Sequence, residues 1–168
     1  FSGATIIYSG PSTSHDVSGR GAARYYYRVK AHNVWAVSDW SNVRQVDVLW
    51  ELEPNDEAPE QVNGPIMPNL VYYGTFPNGD DVDDYYFFDL PTARRVNVWL
   101  TNIPSDQNYD LKLRDASLTV KGYSGNLSNS GEYIRTEDVL PAGRYYIQVF
   151  HRSTGGSTQP YHLTFTLE

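Results

Sequence analysis

The sequence predicts an all-β protein built as an antiparallel β-sandwich, and three observations carry that prediction. Apolar and polar residues alternate with period two along most of the chain, and helical periodicity is nearly absent. Aromatic residues make up 14% of 168 residues, with 14 Tyr against a single Met. Tyr at that level suits strands, where the ring packs on a pleated surface and the hydroxyl reaches water. Turn signals then recur at short spacing: Pro77-Asn78-Gly79, Pro104-Ser105-Asp106, Ser130-Gly131, Pro141-Ala142-Gly143 and Gly155-Gly156.

The first strand is expected over 25–31, with Tyr25, Tyr27, Val29 and Ala31 on one face and Tyr26, Arg28 and Lys30 on the other. The alternation over 43–49 gives a second. The segment 51–59, Glu51-Leu52-Glu53-Pro54-Asn55-Asp56-Glu57-Ala58-Pro59, is rich in acid and proline and reads as a linker or ordered loop. Strands then follow over 70–76, 85–90, 95–100, 109–114, 118–123, 133–139, 144–151 and 161–167. In 144–151, Tyr145, Ile147 and Val149 are expected to face in and Tyr146, Gln148 and Phe150 out. In the last strand Tyr161, Leu163, Phe165 and Leu167 share a face. Short strands at this spacing make a sandwich, and the chain divides near residue 50 into segments 1–50 and 51–168.

Charge and composition exclude whole classes of function. A net charge of −7 argues against nucleic acid and against anionic membranes as partners. With no Cys there is no disulfide framework, Cys-based zinc site or thiol chemistry. No apolar run approaches the ~18 residues a membrane span needs, so no membrane insertion is expected. The chain opens on Phe1-Ser2-Gly3 without Met or a signal peptide, which suggests a processed product or a fragment.

The charge is unevenly spread. Residues 51–89 hold ten of the twenty acidic residues and no Lys, Arg or His. Like charges in contact repel by about 1 kcal/mol per close pair in high dielectric. Two clusters stand out: Glu51, Glu53, Asn55 and Asp56, and then Asp80-Asp81-Val82-Asp83-Asp84 ahead of an apolar strand. Calcium takes about six to eight hard oxygen ligands in irregular geometry, which carboxylates and an Asn carbonyl supply. The absence of His and Cys disfavours zinc and copper. The spacing is not that of an EF-hand. On the residues alone two readings stand, a calcium site and a solvated acidic linker.

Two resemblances bear on these segments. Tyr25-x-Tyr27-x-Val29-x-Ala31-x-Asn33 followed by Ser38-Asp39-Trp40-Ser41-Asn42 resembles the C-terminal half of a fibronectin type III domain. Tyr25 stands where that family has its corner tyrosine, and Trp35 and Trp40 lie within reach of Arg28 and Lys30 for cation–π stacking. Half of such a fold leaves an apolar face and an open edge. The missing strands are expected either upstream or from another segment, by strand complementation between subunits.

The second resemblance rests on four motifs in order: Glu53-Pro54-Asn55-Asp56, Asp81-Val82-Asp83-Asp84-Tyr85-Tyr86-Phe87, Tyr109-Asp110-Leu111-Lys112-Leu113 and Pro141-Ala142-Gly143-Arg144-Tyr145-Tyr146-Ile147-Gln148-Val149. They resemble the bacterial pre-peptidase C-terminal domain, whose relatives include the collagen-binding domains of clostridial collagenases. The resemblance implies an antiparallel jelly-roll-like β-sandwich over about 51–167, preceded by a partial immunoglobulin-like (fibronectin type III) sandwich. It implies calcium held by Glu51, Glu53, Asn55, Asp56, Asp81 and Asp84, with Asp80 and Asp83 as an alternative register. Such an ion would clamp the 51–56 segment onto the sandwich.

No catalytic constellation is legible. His15, His32, His151 and His162 are scattered and form no His-Glu-x-x-His motif. Gly122-Tyr123-Ser124-Gly125 is not a nucleophile elbow, and no carboxylate is placed opposite Asp80 and Asp83 for glycosidase chemistry. Asn126-Leu127-Ser128 is a formal glycosylation acceptor. The expectation is a calcium-stabilised extracellular or cell-surface accessory module, not an enzyme, that binds a matrix or aids secretion of a parent enzyme. Its partner would be a matrix protein or polysaccharide, with Tyr123, Tyr133, Tyr146 and Phe150 as candidate contacts. The alternative is a structural subunit of a surface layer, stalk or fibre whose partners are neighbouring copies of itself.

Overall fold

A computed structural model describes residues 4–168; Phe1, Ser2 and Gly3, read above as an abrupt start, lie outside the described residues. Among the described residues there are ten strands and no helix: β1 (Ala23–Tyr27), β2 (Arg44–Val48), β3 (Val71–Phe76), β4 (Asp83–Leu90), β5 (Val96–Thr101), β6 (Tyr109–Asp115), β7 (Val120–Ser124), β8 (Glu132–Arg135), β9 (Gly143–His151) and β10 (Ser157–Leu167). Strands β3 to β10 form two four-stranded antiparallel sheets, ordered β3-β10-β5-β8 and β4-β9-β6-β7.

The period-two pattern becomes the core directly. Phe76, Tyr86, Phe88, Val98, Leu100, Leu111, Leu113, Ile147, Val149, Leu163 and Phe165 are buried between the sheets. Each contributes about 1.5–3 kcal/mol on leaving water. Gly143, at φ +153°, begins β9 after the Pro141 turn. The Tyr145 hydroxyl donates to the Pro141 carbonyl at 3.0 Å and pins that turn.

Two strand expectations are corrected. The strand expected over 133–139 ends at Arg135, because Thr136 turns its side chain into the ladder: its Oγ1 accepts from the Val96 N–H at 3.1 Å. The alternation in β9 is also incomplete. Tyr145, Ile147 and Val149 face the core as expected, but Tyr146 is only 4% exposed and Gln148 is buried too. β9 lies between β4 and β6, so long side chains on both neighbours cover its outer face. Tyr146 sits in register between Phe87 and Arg114, and Gln148 accepts from Arg114 Nε at 2.8 Å while donating to Asp83.

Within the described residues 4–50, β1 and β2 form a separate antiparallel pair, braced by an Arg24–Asp47 ion pair at 2.7 Å. β1 ends at Tyr27, short of the expected Ala31. Beyond it serine hydroxyls enter the ladder: Ser41 Oγ accepts from the Val29 N–H at 3.0 Å and Ser38 Oγ from the Ala31 N–H at 2.9 Å. The Tyr25 hydroxyl donates to the Gly21 carbonyl at 3.1 Å. Trp40 lies under Arg28 at 4.2 Å and Lys30 at 4.8 Å, whereas Trp35 stands 90% exposed.

What places the acidic segment is a seam between this pair and the sandwich. Tyr73 on β3 donates to the Leu49 carbonyl at 2.8 Å and accepts from the Glu51 N–H at 3.0 Å, and Trp50 stacks on Tyr73. The chain then crosses to the other sheet. Tyr85 on β4 donates to the Asn55 carbonyl at 2.8 Å, and Phe87 donates to the Asn63 carbonyl at 2.8 Å. The Asn63 Oδ1 accepts from the N–H groups of Ala22 and Leu52, each at 3.0 Å. The edge of β3 thus holds Glu51, and the edge of β4 holds Asn55.

Candidate metal centre

Crossing from one sheet edge to the other delivers the two acidic clusters to one place. Asp84 lies on β4 with its side chain turned inward, 0% exposed, and Asn55 is equally buried. Two groups of three carboxylates form there, Glu51 with Glu53 and Asp84, and Glu53 with Asp56 and Asp81. Within each group one oxygen per residue lies within 4.8 Å of the others. Glu53 belongs to both. All six residues singled out from the sequence are therefore brought together. Asp83 is not: alternation along β4 sends it to the outer face, where it accepts from Gln148. Asp80 is exposed on the loop before β4.

Below the carboxylates lies a layer of hydroxyls. Tyr161 donates to Asp84 Oδ2 at 2.5 Å, Tyr86 donates to Glu51 Oε2 at 2.8 Å, and the two hydroxyls are 2.9 Å apart. The Thr75 N–H also donates to Glu51. These residues went unnoticed in the sequence because inward Tyr reads as core. The available signal was Tyr at positions 86 and 161, where Phe would fill the same space but bind no carboxylate.

The electrostatics are those of crowded anions. Burial, opposed by hydrogen bonds, raises the Glu51 carboxyl, and burial with the neighbouring Glu51 raises Asp84 well above its ordinary value. Burial first, then Glu51 and Asp81, pushes Glu53 up to about 7. Burial first, then Asp56 and Glu51, pushes Asp81 up to about 7. Both Asp81 carboxylate oxygens are buried without a hydrogen-bond partner, a condition that costs free energy unless something positive sits there.

Asn55 fits the site in two orientations. With its amide nitrogen inward it donates to Asp84 Oδ1 at 3.1 Å and to Glu53 Oε1 at 3.0 Å. With its oxygen inward it adds one more hard ligand to the carboxylates. Five carboxylates and an amide, with no nitrogen or sulfur ligand, form a donor set for a hard divalent cation.

The four candidate ligand contacts fall apart into separate surroundings. Tyr123 and Phe150 stack on the outer face of β7, β6 and β9, with ring centroids 6.4 Å apart. Lys112 Nζ lies 4.0 Å over Phe150. Tyr133 is on the opposite sheet, stacked on Trp99 at 5.2 Å and donating to Asn97 Oδ1 at 2.8 Å. Tyr146 was expected to face a ligand and does not, since the flanking strands bury it. His151 is buried against Phe76 and hydrogen-bonded to Gln107 at 2.7 Å. No helix among the described residues is long and apolar enough to cross a membrane.

Comparison with known proteins agrees with this architecture. Residues 71–151 match the bacterial pre-peptidase C-terminal domain family. The chain is 31% identical over 109 residues to "Collagenase ColA" of Clostridium perfringens, a match that takes in 64% of this chain and 9% of that protein. A crystal structure of the pre-peptidase C-terminal domain of a collagenase from Bacillus anthracis superimposes with a TM-score of 0.53 at 21% identity. It covers 66% of this chain and 100% of its own, and shows that the fold is shared. Over residues 71–151, therefore, the chain is similar to the bacterial pre-peptidase C-terminal domain family, and it shares the β-sandwich fold of a solved member.

Proposed function

We propose that this protein is a calcium-stabilised, non-catalytic, extracellular accessory module that binds a matrix protein, with collagen the first candidate. A single observation carries the calcium reading: the Asp81 carboxylate oxygens are buried and partnerless, with carboxylate oxygens of Glu53 and Asp56 within 4.8 Å. Glu51, Glu53, Asn55, Asp56, Asp81 and Asp84 would hold the ion. Bound there, calcium supplies positive charge to a crowded anionic seam; it does no chemistry on a substrate. The chain's own residues do the rest: Tyr86 and Tyr161 orient Glu51 and Asp84, and the edges of β3 and β4 hold the 51–56 segment in reach.

The matrix reading is supported by similarity to a collagenase over 109 residues and by the stacked Tyr123 and Phe150 beside Lys112. The test is a sedimentation assay with insoluble collagen, cellulose and chitin, in calcium and in chelator. Retention on collagen that falls in a Tyr123→Ala, Phe150→Ala double variant supports the reading. Retention on none of the three solids refutes it. We read residues 1–50 as a fibronectin type III-like part and place the division near residue 50. The Tyr25–Gly21 hydrogen bond and the Arg28–Trp40–Lys30 stack support this.

A second reading is favoured by the β1–β2 pair, where Val46 on β2 and Val29 just beyond β1 are exposed. A two-stranded sheet is marginal alone and invites a further strand. On this reading copies assemble by strand complementation into a stalk, layer or fibre. Ordered polymers in negative-stain micrographs would support it, and a strictly monomeric sample at high concentration would refute it.

A further inference from the structure

We propose that Asn78 is a site of spontaneous covalent modification, deamidating through a cyclic imide, while the fold holds the other Asn-Gly step, Asn63-Gly64, inert. Water is the only co-reactant. The Gly79 backbone nitrogen attacks Cγ of Asn78, the bond from Cγ to the side-chain nitrogen breaks, and ammonia leaves with the proton from Gly79. Water then adds to either imide carbonyl and breaks that carbon's bond to the Gly79 nitrogen. Residue 78 becomes an aspartyl or isoaspartyl residue, and nothing is oxidised or reduced.

The two steps share a sequence but not an environment. Asn78 and Gly79 are both exposed in the turn between β3 and β4. Asn78 Oδ1 accepts from the Asp80 N–H at 3.0 Å and the Asp81 N–H at 3.1 Å. Those donors polarise the amide and face the oxygen on which negative charge develops as the nitrogen adds. Gly79 has no side chain to shield its nitrogen, and among the described residues its N–H donates to no acceptor.

Asn63 Oδ1 also accepts two N–H groups, but Asn63 is 4% exposed and its Nδ2 donates to the Leu52 carbonyl at 3.2 Å. Gly64 packs against Phe87. Ammonia cannot leave while Nδ2 is held on the Leu52 carbonyl, and water cannot reach that imide until the buried seam opens. That requirement slows the reaction by about a hundredfold.

Modification would not be silent. The isoaspartyl link routes the main chain through the former side chain, lengthens it by one methylene and makes the oxygen that Asp80 and Asp81 bond a main-chain carbonyl. The turn is closely packed on its Gly156 side, where an added Cβ would collide with the Asn78 nitrogen.

The test is ageing of the full chain in mildly alkaline heavy-oxygen water, followed by digestion and peptide mass mapping. The expected result is label at residue 78 appearing about a hundredfold faster than at residue 63, with comparable rates at both in denaturant. Asn78→Gln should abolish the labelled species. Equal rates at 78 and 63 in the folded chain, or labelling at 78 no faster than at Asn102 or Asn108, would overturn the proposal. The readout is independent of any metal, so it stands or falls apart from the calcium reading.

Discussion

Chelating a calcium-loaded sample is expected to lower its melting temperature by roughly 5–10 °C. The size follows from the cluster. Two groups of three carboxylates, sharing Glu53, hold their oxygens within 4.8 Å, which makes three close pairs in each. At about 1 kcal/mol per pair even in bulk water, full ionisation opposes folding by about 6 kcal/mol. That is a large share of the about 5–15 kcal/mol by which a domain is stable. The cation-free chain escapes by keeping protons, with Glu53 and Asp81 raised to about 7. Calcium at a hundredfold excess over its dissociation constant restores about 2.7 kcal/mol. In a chain of 168 residues, each kcal/mol shifts the melt by about 2–4 °C. The assay is differential scanning calorimetry in calcium, in EDTA, and in EDTA overtitrated with calcium. Asp81→Asn should abolish the shift without lowering the EDTA melt, because it removes one charge from the crowd. An EDTA melt equal to the calcium melt in the native chain would refute the reasoning.

In EDTA, stability should fall as pH rises from about 5 to about 8. Glu53 and Asp81 bind protons more tightly folded than unfolded, so their contribution is complete at low pH and lost as pH passes through about 7. Urea titrations across that range check the sign, and saturating calcium should flatten the dependence. Tyr161→Phe should cost about 1–3 kcal/mol by urea unfolding, because it strips a hydrogen-bond partner from a fully buried carboxyl group.

Much of the fold was legible because its signals are local. Period-two alternation and turn chemistry located all eight strands of the sandwich, with ends that moved by a few residues. What was not legible depends on neighbours in space. Tyr146 alternates outward in the sequence, but burial on β9 is decided by Phe87 and Arg114 across the ladder. Thr136 ends β8 through a hydrogen bond to Val96, forty residues away. At the site, the acids announced themselves by charge imbalance. Their convergence did not, since it requires the 51–63 segment to hydrogen-bond along β3 and then β4. The supporting hydroxyls of Tyr86 and Tyr161 were hidden in a pattern that spells core.

The same seam guards the sandwich against its own kind. β3 and β4 end their sheets on the same side, and unpaired edges are templates for pairing with other chains. Leu49 and Glu51 cap part of one edge, while Asn55 and Asn63 cap part of the other. A strap anchored by carboxylates is only as secure as their neutralisation. Stripping the cation should therefore show itself in light scattering as well as in calorimetry: once the strap lifts, the bared edges of β3 and β4 can recruit each other, and loss of calcium becomes a route to aggregation before it becomes a route to unfolding.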